Sequence, residues 1–226
     1  MGIFRKDPLT TGQVYHVMNK SIAGFQVFPS PYDYHRMRQL IFFFRYSGDI
    51  PRFSQFTRLQ MVKEKGVEAT LAELAEGWQQ TASIIAYCLM PTHIHIVVKQ
   101  LAENGISVFM SNILNAYARY FNTKYKRKGP LWEGRFKNVL IQSDEQLLHV
   151  TRYVHLNPVT AGIVERPLDW EYSSYVEYIA TAHPAATVLT ETSDLLALTG
   201  KEYERFTEDH IDYQRELAKI KSLILE

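Results

Sequence analysis

Two runs of β-forming residues, 82–90 (ASIIAYCLM) and 93–100 (HIHIVVKQ), are separated only by Pro91-Thr92. So short a link joins antiparallel neighbours, because parallel strands need a crossover of a dozen or more residues. An antiparallel sheet is therefore required, and the flanking segments say what packs on it. Residues 13–22 alternate and read as a further strand. Asp33 to Phe44 follows the turn-forming Pro29-Ser30-Pro31 and sets Tyr34, Met37, Leu40, Ile41 and Phe44 at helical spacing. Gly105 to Tyr125 is a long amphipathic helix whose apolar face carries Val108, Ile113, Leu114, Tyr117, Tyr120 and Phe121. A short strand at 136–141 comes next. Ser143 then caps a helix with acidic residues in its first turn, and its predicted stop is near Asn157-Pro158, because the residue before proline is pushed out of helical geometry.

Residues 45–80 read as a mainly helical insertion broken at Gly48, Pro51, Gly66 and Gly77. The order is β-α-(insertion)-β-β-α-β-α, which predicts an α+β, ferredoxin-like (RRM-like) split βαβ fold with an appended helix. Residues 159–179 look like a packed aromatic extension and 180–186 like a linker. The expected division is one domain over 1–180 and an acidic, helical extension over 181–226.

With 46% hydrophobic and 22% charged residues, the chain has the composition of a folded globular protein and not of a disordered one. Cys88 stands alone, so neither an intramolecular disulfide nor a cysteine zinc cage can form. No apolar run suits a signal peptide or a membrane span, and the expected setting is the cytoplasm, at the nucleoid when bound to DNA. A net charge of +1 hides a segregation. Residues 124–137 hold six basic residues against Glu133 alone, a balance of +5, whereas 190–226 holds nine acids against five bases, a balance of −4.

His93 and His95 lie two apart in an alternating strand, so both imidazoles project from one face and can converge on one metal. A bare His-x-His is more often simply solvent-facing. Tyr153 and Asn157, four apart on a helix, share a face; a core tyrosine and a helix-ending asparagine are the ordinary alternatives. Neither pair decides anything alone.

Together, 87–98 (YCLMPTHIHIVV), 131–136 (LWEGRF) and 153–162 (YVHLNPVTAG) resemble the HUH tyrosine transposases, and 169–175 (DWEYSSY) is similar to their REP-associated, IS200-like branch, whose members act on palindromic repeat hairpins. The resemblance covers about 13–22 and 82–178. It implies Tyr153 as nucleophile and His93, His95 and Asn157 as ligands of a divalent metal, Mg²⁺ or Mn²⁺, in an enzyme that cleaves and rejoins single-stranded or hairpin DNA through a 5′-phosphotyrosine. Some relatives carry Gln at the Asn157 position. The basic run then reads as a DNA groove, with Lys124, Lys126, Arg127, Lys128, Arg135 and Lys137 on phosphates and Trp132 stacked on a base, a solvated basic loop being the ordinary alternative. His149 reads as a solvated helix residue or a proton-transfer partner, His155 as structural, and His16 as a possible flank of the site. The rival readings are a DNA- or RNA-binding regulator on the same scaffold with a dead site, and a hydrolytic metalloenzyme. No membrane partner is expected, and monomer and homodimer remain open.

Overall fold

A computed structural model describes residues 7–180, 189–191, 198 and 200–216. The strands are β1 (Val14–Lys20), β2 (Tyr46–Ser47), β3 (Gln79–Gln80), β4 (Ala82–Met90), β5 (His93–Gln100) and β6 (Lys137–Ile141). The helices are α1 (Pro31–Phe44), α2 (Phe53–Phe56), α3 (Gln60–Lys65), α4 (Val67–Leu74), α5 (Gly105–Lys124), α6 (Asp144–Thr160), α7 (Tyr175–Ile179) and α8 (Lys201–Glu208).

The main sheet has the order β4-β5-β1-β6, with every pair antiparallel. Counting only these four strands, the chain visits them in the split βαβ order, as expected for a ferredoxin-like sheet. The β4–β5 hairpin forms as the short Pro91-Thr92 link dictates. The insertion is helical, and the two-residue β2–β3 ladder closes its neck.

Alternation along β5 sorts its residues between two layers. Ile94, Ile96 and Val98 face one core, which α1 and α5 cover through Met37, Leu40, Ile41, Ile113, Tyr117 and Phe121. Val97, with Cys88 and Met90 from β4, faces a second core covered by α6 through Leu147 and Val154 and by α7 and α8 through Tyr175, Tyr178 and Tyr203. The histidines of β5 belong to this second face.

Two boundaries differ from expectation. First, α6 continues through Pro158 to Thr160. A proline costs the helix one N–H bond and crowds one carbonyl, but here it stands in the last turn, where Ala161 N–H still reaches Asn157 O at 2.9 Å and Ile163 N–H reaches Pro158 O at 2.9 Å. Asn157 is thereby a helical residue and not a frayed end. Second, described residues beyond 180 pack on the core: Leu189 and Tyr203 are fully buried. Glu191 N–H donates to Ile84 O, and its carboxylate meets Ser83 Oγ at 2.8 Å and Arg45 at 3.2 Å. The expected linker, apart from Ala180, lies outside the described residues, as does much of the acidic tail; α8 is the part of it seen as helix.

The aromatic extension covers the exposed edge of β4. Leu89 N–H donates to Tyr172 O and Ser174 N–H to Tyr87 O, while Trp170 Nε1–H donates to Leu89 O. An edge so paired cannot recruit a foreign strand. Among the described residues no helix is long and apolar enough to cross a membrane.

Candidate active site

The site is built where the second face of β5 and β1 meets α6. In the antiparallel register Met18 lies opposite His95 and Lys20 opposite His93, so His16, Met18 and Lys20 stand on the same face as the two histidines. Tyr153 comes down from α6. Its ring lies edge-on to His95, centroids 5.8 Å apart, and to His16, centroids 6.1 Å apart. Tyr153 is 39% exposed, and among the described residues its hydroxyl has no hydrogen-bond partner, so it is open to an incoming strand. One turn further, Asn157 stands beside His93, near enough to oppose the lowering of its pKa. Two strand positions and two helix positions, 60 residues apart in sequence between His93 and Tyr153, are thus brought together.

Burial sets the electrostatics of the imidazoles. His95 is 3% exposed, and desolvation, with His16, His93 and Lys20 nearby, holds its pKa well below the usual histidine value. His93 is lowered mainly by desolvation too, with Asn157 opposing. Both rings are therefore neutral at neutral pH, and a metal need not displace a proton to bind them. The rings of His93 and His95 are 5.0 Å apart between centroids. Thr92 Oγ1 lies 3.0 Å from His93 Nδ1, and His16 Nε2 lies 2.9 Å from His95 Nδ1. Each pair engages Nδ1, so at His95 the nitrogen left for a ligand is Nε2.

The donor set suits a loosely held divalent cation. Nδ2 of Asn157 is buried with no partner, and turning the amide over would place its oxygen there instead, a change that leaves the side chain's shape unaltered. Among the described residues no three His, Cys, Asp or Glu side chains gather as a metal cage. The protein would supply two imidazoles and an amide oxygen, leaving positions for phosphate oxygens.

His16 stands directly behind His95. Its ring stacks on His95, centroids 5.1 Å apart, and burial lowers its pKa to about 4. His149 faces away, its Nδ1 2.7 Å from Arg152 and its ring against Phe206. His155 is structural: fully buried, it bonds Tyr203 Oη and Ser174 Oγ at 2.7 Å each.

The basic run 124–137 divides into four. Lys124 Nζ is 2.7 Å from the buried Asp33 carboxylate, and Arg127 closes the turn through Asn122 Oδ1 and Gly129 O while lying over the Phe25 ring. Trp132 corrects the stacking expectation: it is 9% exposed, packs beside Tyr117 and donates its indole N–H to Leu114 O at 3.1 Å, because 131–133 pairs alongside 20–22 and turns the ring inward. Arg135 and Lys137 are exposed and, with Lys20, line a small cavity that also includes Met18, the residue opposite His95. Lys126 and Lys128 are exposed on the turn.

The sequence profile of the family described as "Transposase IS200 like" matches residues 54–157, from inside the insertion to Asn157. A protein of Haemophilus influenzae assigned as a REP-associated tyrosine transposase is 35% identical over 120 residues, covering 46% of this chain and 67% of that one. This chain belongs to the IS200-like, REP-associated tyrosine transposase family. The family's fold is shared as well: a solved REP-associated tyrosine transposase bound to a REP hairpin superposes with a TM-score of 0.51 at 16% identity, over 88% of this chain and all of that one. In this family member, then, the four positions singled out in the sequence converge at one place on the sheet.

Proposed function

We propose that the chain cuts and rejoins single-stranded DNA at or beside a hairpin, with Tyr153 as nucleophile. The observation that carries this reading is the meeting of the exposed Tyr153 hydroxyl with His95 on one side and the His93–Asn157 pair on the same face. The phenolic oxygen attacks a backbone phosphorus, the bond to the 3′-oxygen breaks, and that oxygen leaves as a 3′-hydroxyl while the phenolic proton is lost. The product is a 5′-phosphotyrosine, which keeps the phosphodiester energy so that a 3′-hydroxyl can reverse the attack. A divalent cation, Mg²⁺ or Mn²⁺, held by His93, His95 and Asn157 would polarise the phosphate and offset its charge as attack proceeds. Lys20, Arg135 and Lys137 would hold neighbouring phosphates, and the solved relative's REP hairpin supports a folded DNA end as the substrate.

The test is incubation of the protein with labelled hairpin oligonucleotides from the flanks of its own gene, in Mn²⁺, followed by denaturing gel electrophoresis. A covalent protein–DNA band is expected with the wild type and none with Tyr153→Phe, whose DNA affinity should stay within a few fold. Cleavage at the wild-type rate by the Phe variant would remove Tyr153 from the role, and full activity in EDTA would remove the metal.

A further inference from the structure

Between Glu103 and Glu133 the sequence has no acidic residue, and α5 lies wholly within that stretch. On the layer of the sheet opposite Tyr153, α1, α2 and α5 enclose an open groove of about 790 Å³. Arg36, Arg52, Arg119 and Lys124 line it together with Phe53 and Tyr120, and no carboxylate does. Asp33 neutralises Lys124. Among the described residues, no carboxylate lies within ion-pair distance of the other three cations.

Arg36 is the informative member. It is half-buried, and its guanidinium carbon sits 5.3 Å from the Phe53 ring centre and 5.1 Å from that of Tyr120. The two rings hold the planar group in place, while its N–H edges have no acceptor among the described residues. A partly desolvated cation without a counter-ion is costly to keep, and a guanidinium so oriented matches the paired oxygens of a phosphate. Along α5, Asn112, Asn115, Arg119 and Thr123 recur every three or four residues on the groove wall, a polar row spanning about 16 Å at the helical rise.

We propose that this groove binds the sugar-phosphate backbone of single-stranded DNA, at a part of the strand remote from the one cut at Tyr153. The inference rests on the reading of the chain as a single-strand DNA enzyme. It also gives the insertion a task, since Arg52 and Phe53 come from it. A duplex is a poor occupant: stiff over about 150 base pairs, it cannot follow the groove wall, whereas a flexible single strand can bend to the half-buried Arg36.

The test is binding of a fluorescein-labelled oligo-dT of about 30 nucleotides, longer than a typical single-strand site, measured by anisotropy across a salt series. Arg52→Ala/Arg119→Ala removes two exposed cations of the groove. Arg58→Ala/Lys63→Ala removes two exposed cations of the insertion outside it and serves as the charge-matched control. Relative to that control, the groove variant should bind several-fold more weakly, and the slope of log K against log salt should shrink by about 1.4, from two phosphates at ~0.7 each. Arg36→Lys, which keeps the charge and loses the fork, should weaken binding with little change in slope. An unchanged affinity and slope in the groove variant would overturn the proposal, as would a loss seen with a duplex of the same length and not with oligo-dT. The wild type's covalent adduct with hairpin DNA is scored separately: an adduct with no groove effect sinks only the groove, and a groove effect without an adduct sinks only the catalytic reading.

Discussion

His16 turns a pair of histidines on a strand into a supported site. Its Nε2 contacts Nδ1 of His95 at 2.9 Å, so one of the two nitrogens carries the proton and the His95 ring is fixed with Nε2 outward. Such supporting contacts are worth roughly 10–100-fold in metal affinity. His16→Ala should therefore weaken Mn²⁺ binding by about that factor in isothermal titration calorimetry, with oligo-dT affinity unchanged. His16→Gln, whose amide can offer the same contact, should recover part of the loss. Equal Mn²⁺ affinity in wild type and Ala variant would show that His95 needs no support. The alternation of residues 13–22 places His16, Met18 and Lys20 on one face of β1. It does not say that β5 lies alongside with His93 and His95 on that face; only the strand order does.

Among the elements, the β4–β5 hairpin and the start of α5 are tied together more tightly than their sequences suggest. Gly105 opens α5 where a Cβ would stand 2.3 Å from the backbone oxygen of Thr81, just ahead of β4. Backbone cannot yield as a flexible side chain does. Gly105→Ala should cost about 1–3 kcal/mol, the usual range for overpacking, read as a lower midpoint in urea unfolding with the slope unchanged. The segment carrying Trp132 teaches the converse. Its aromatic and basic composition reads as a DNA surface or as a solvated basic loop, and the pairing of 131–133 with 20–22 instead turns the Trp132 ring into the core. Trp132→Ala should accordingly lose about 3–5 kcal/mol of stability, as large buried aromatics do, with the salt slope of DNA binding unaltered. A variant that kept its stability and lost DNA affinity would restore the stacking role.

For the whole molecule, the two faces of one sheet divide the work. The face toward α1 and α5 holds the larger core and, beyond it, the acid-free groove. The face toward α6 carries the histidines and Tyr153, and its core is completed by residues from beyond 180. Tyr203 Oη reaches His155 at 2.7 Å, and Glu177 accepts from Leu189 N–H, Thr190 N–H and Thr190 Oγ1. His155 lies between Tyr153 and Asn157 on α6, so the C-terminal part braces the helix that bears both. A chain ending at Ala186 should lose this brace and be insoluble or unfold at a clearly lower temperature by circular dichroism. Tyr203→Ala in the full chain should lose about 3–5 kcal/mol. A truncated chain with wild-type stability would restore the boundary near 180.

What the sequence determined by itself follows from local rules. Strand alternation put His93 and His95 on one face, helical spacing put Tyr153 and Asn157 on another, and the two-residue link between β4 and β5 required an antiparallel sheet. The structure places all of these as the periodicities demand, since side-chain direction within one element depends only on its own backbone. What required the tertiary structure was every relation between elements: that His16 backs His95, that Trp132 turns inward, and that Leu189 and Tyr203 belong to the core. It was also the structure that gathered Arg36, Arg52 and Arg119 around one groove. These residues lie tens of residues apart, and their neighbours are chosen by packing and strand order, so no local pattern in the chain carries a record of the choice.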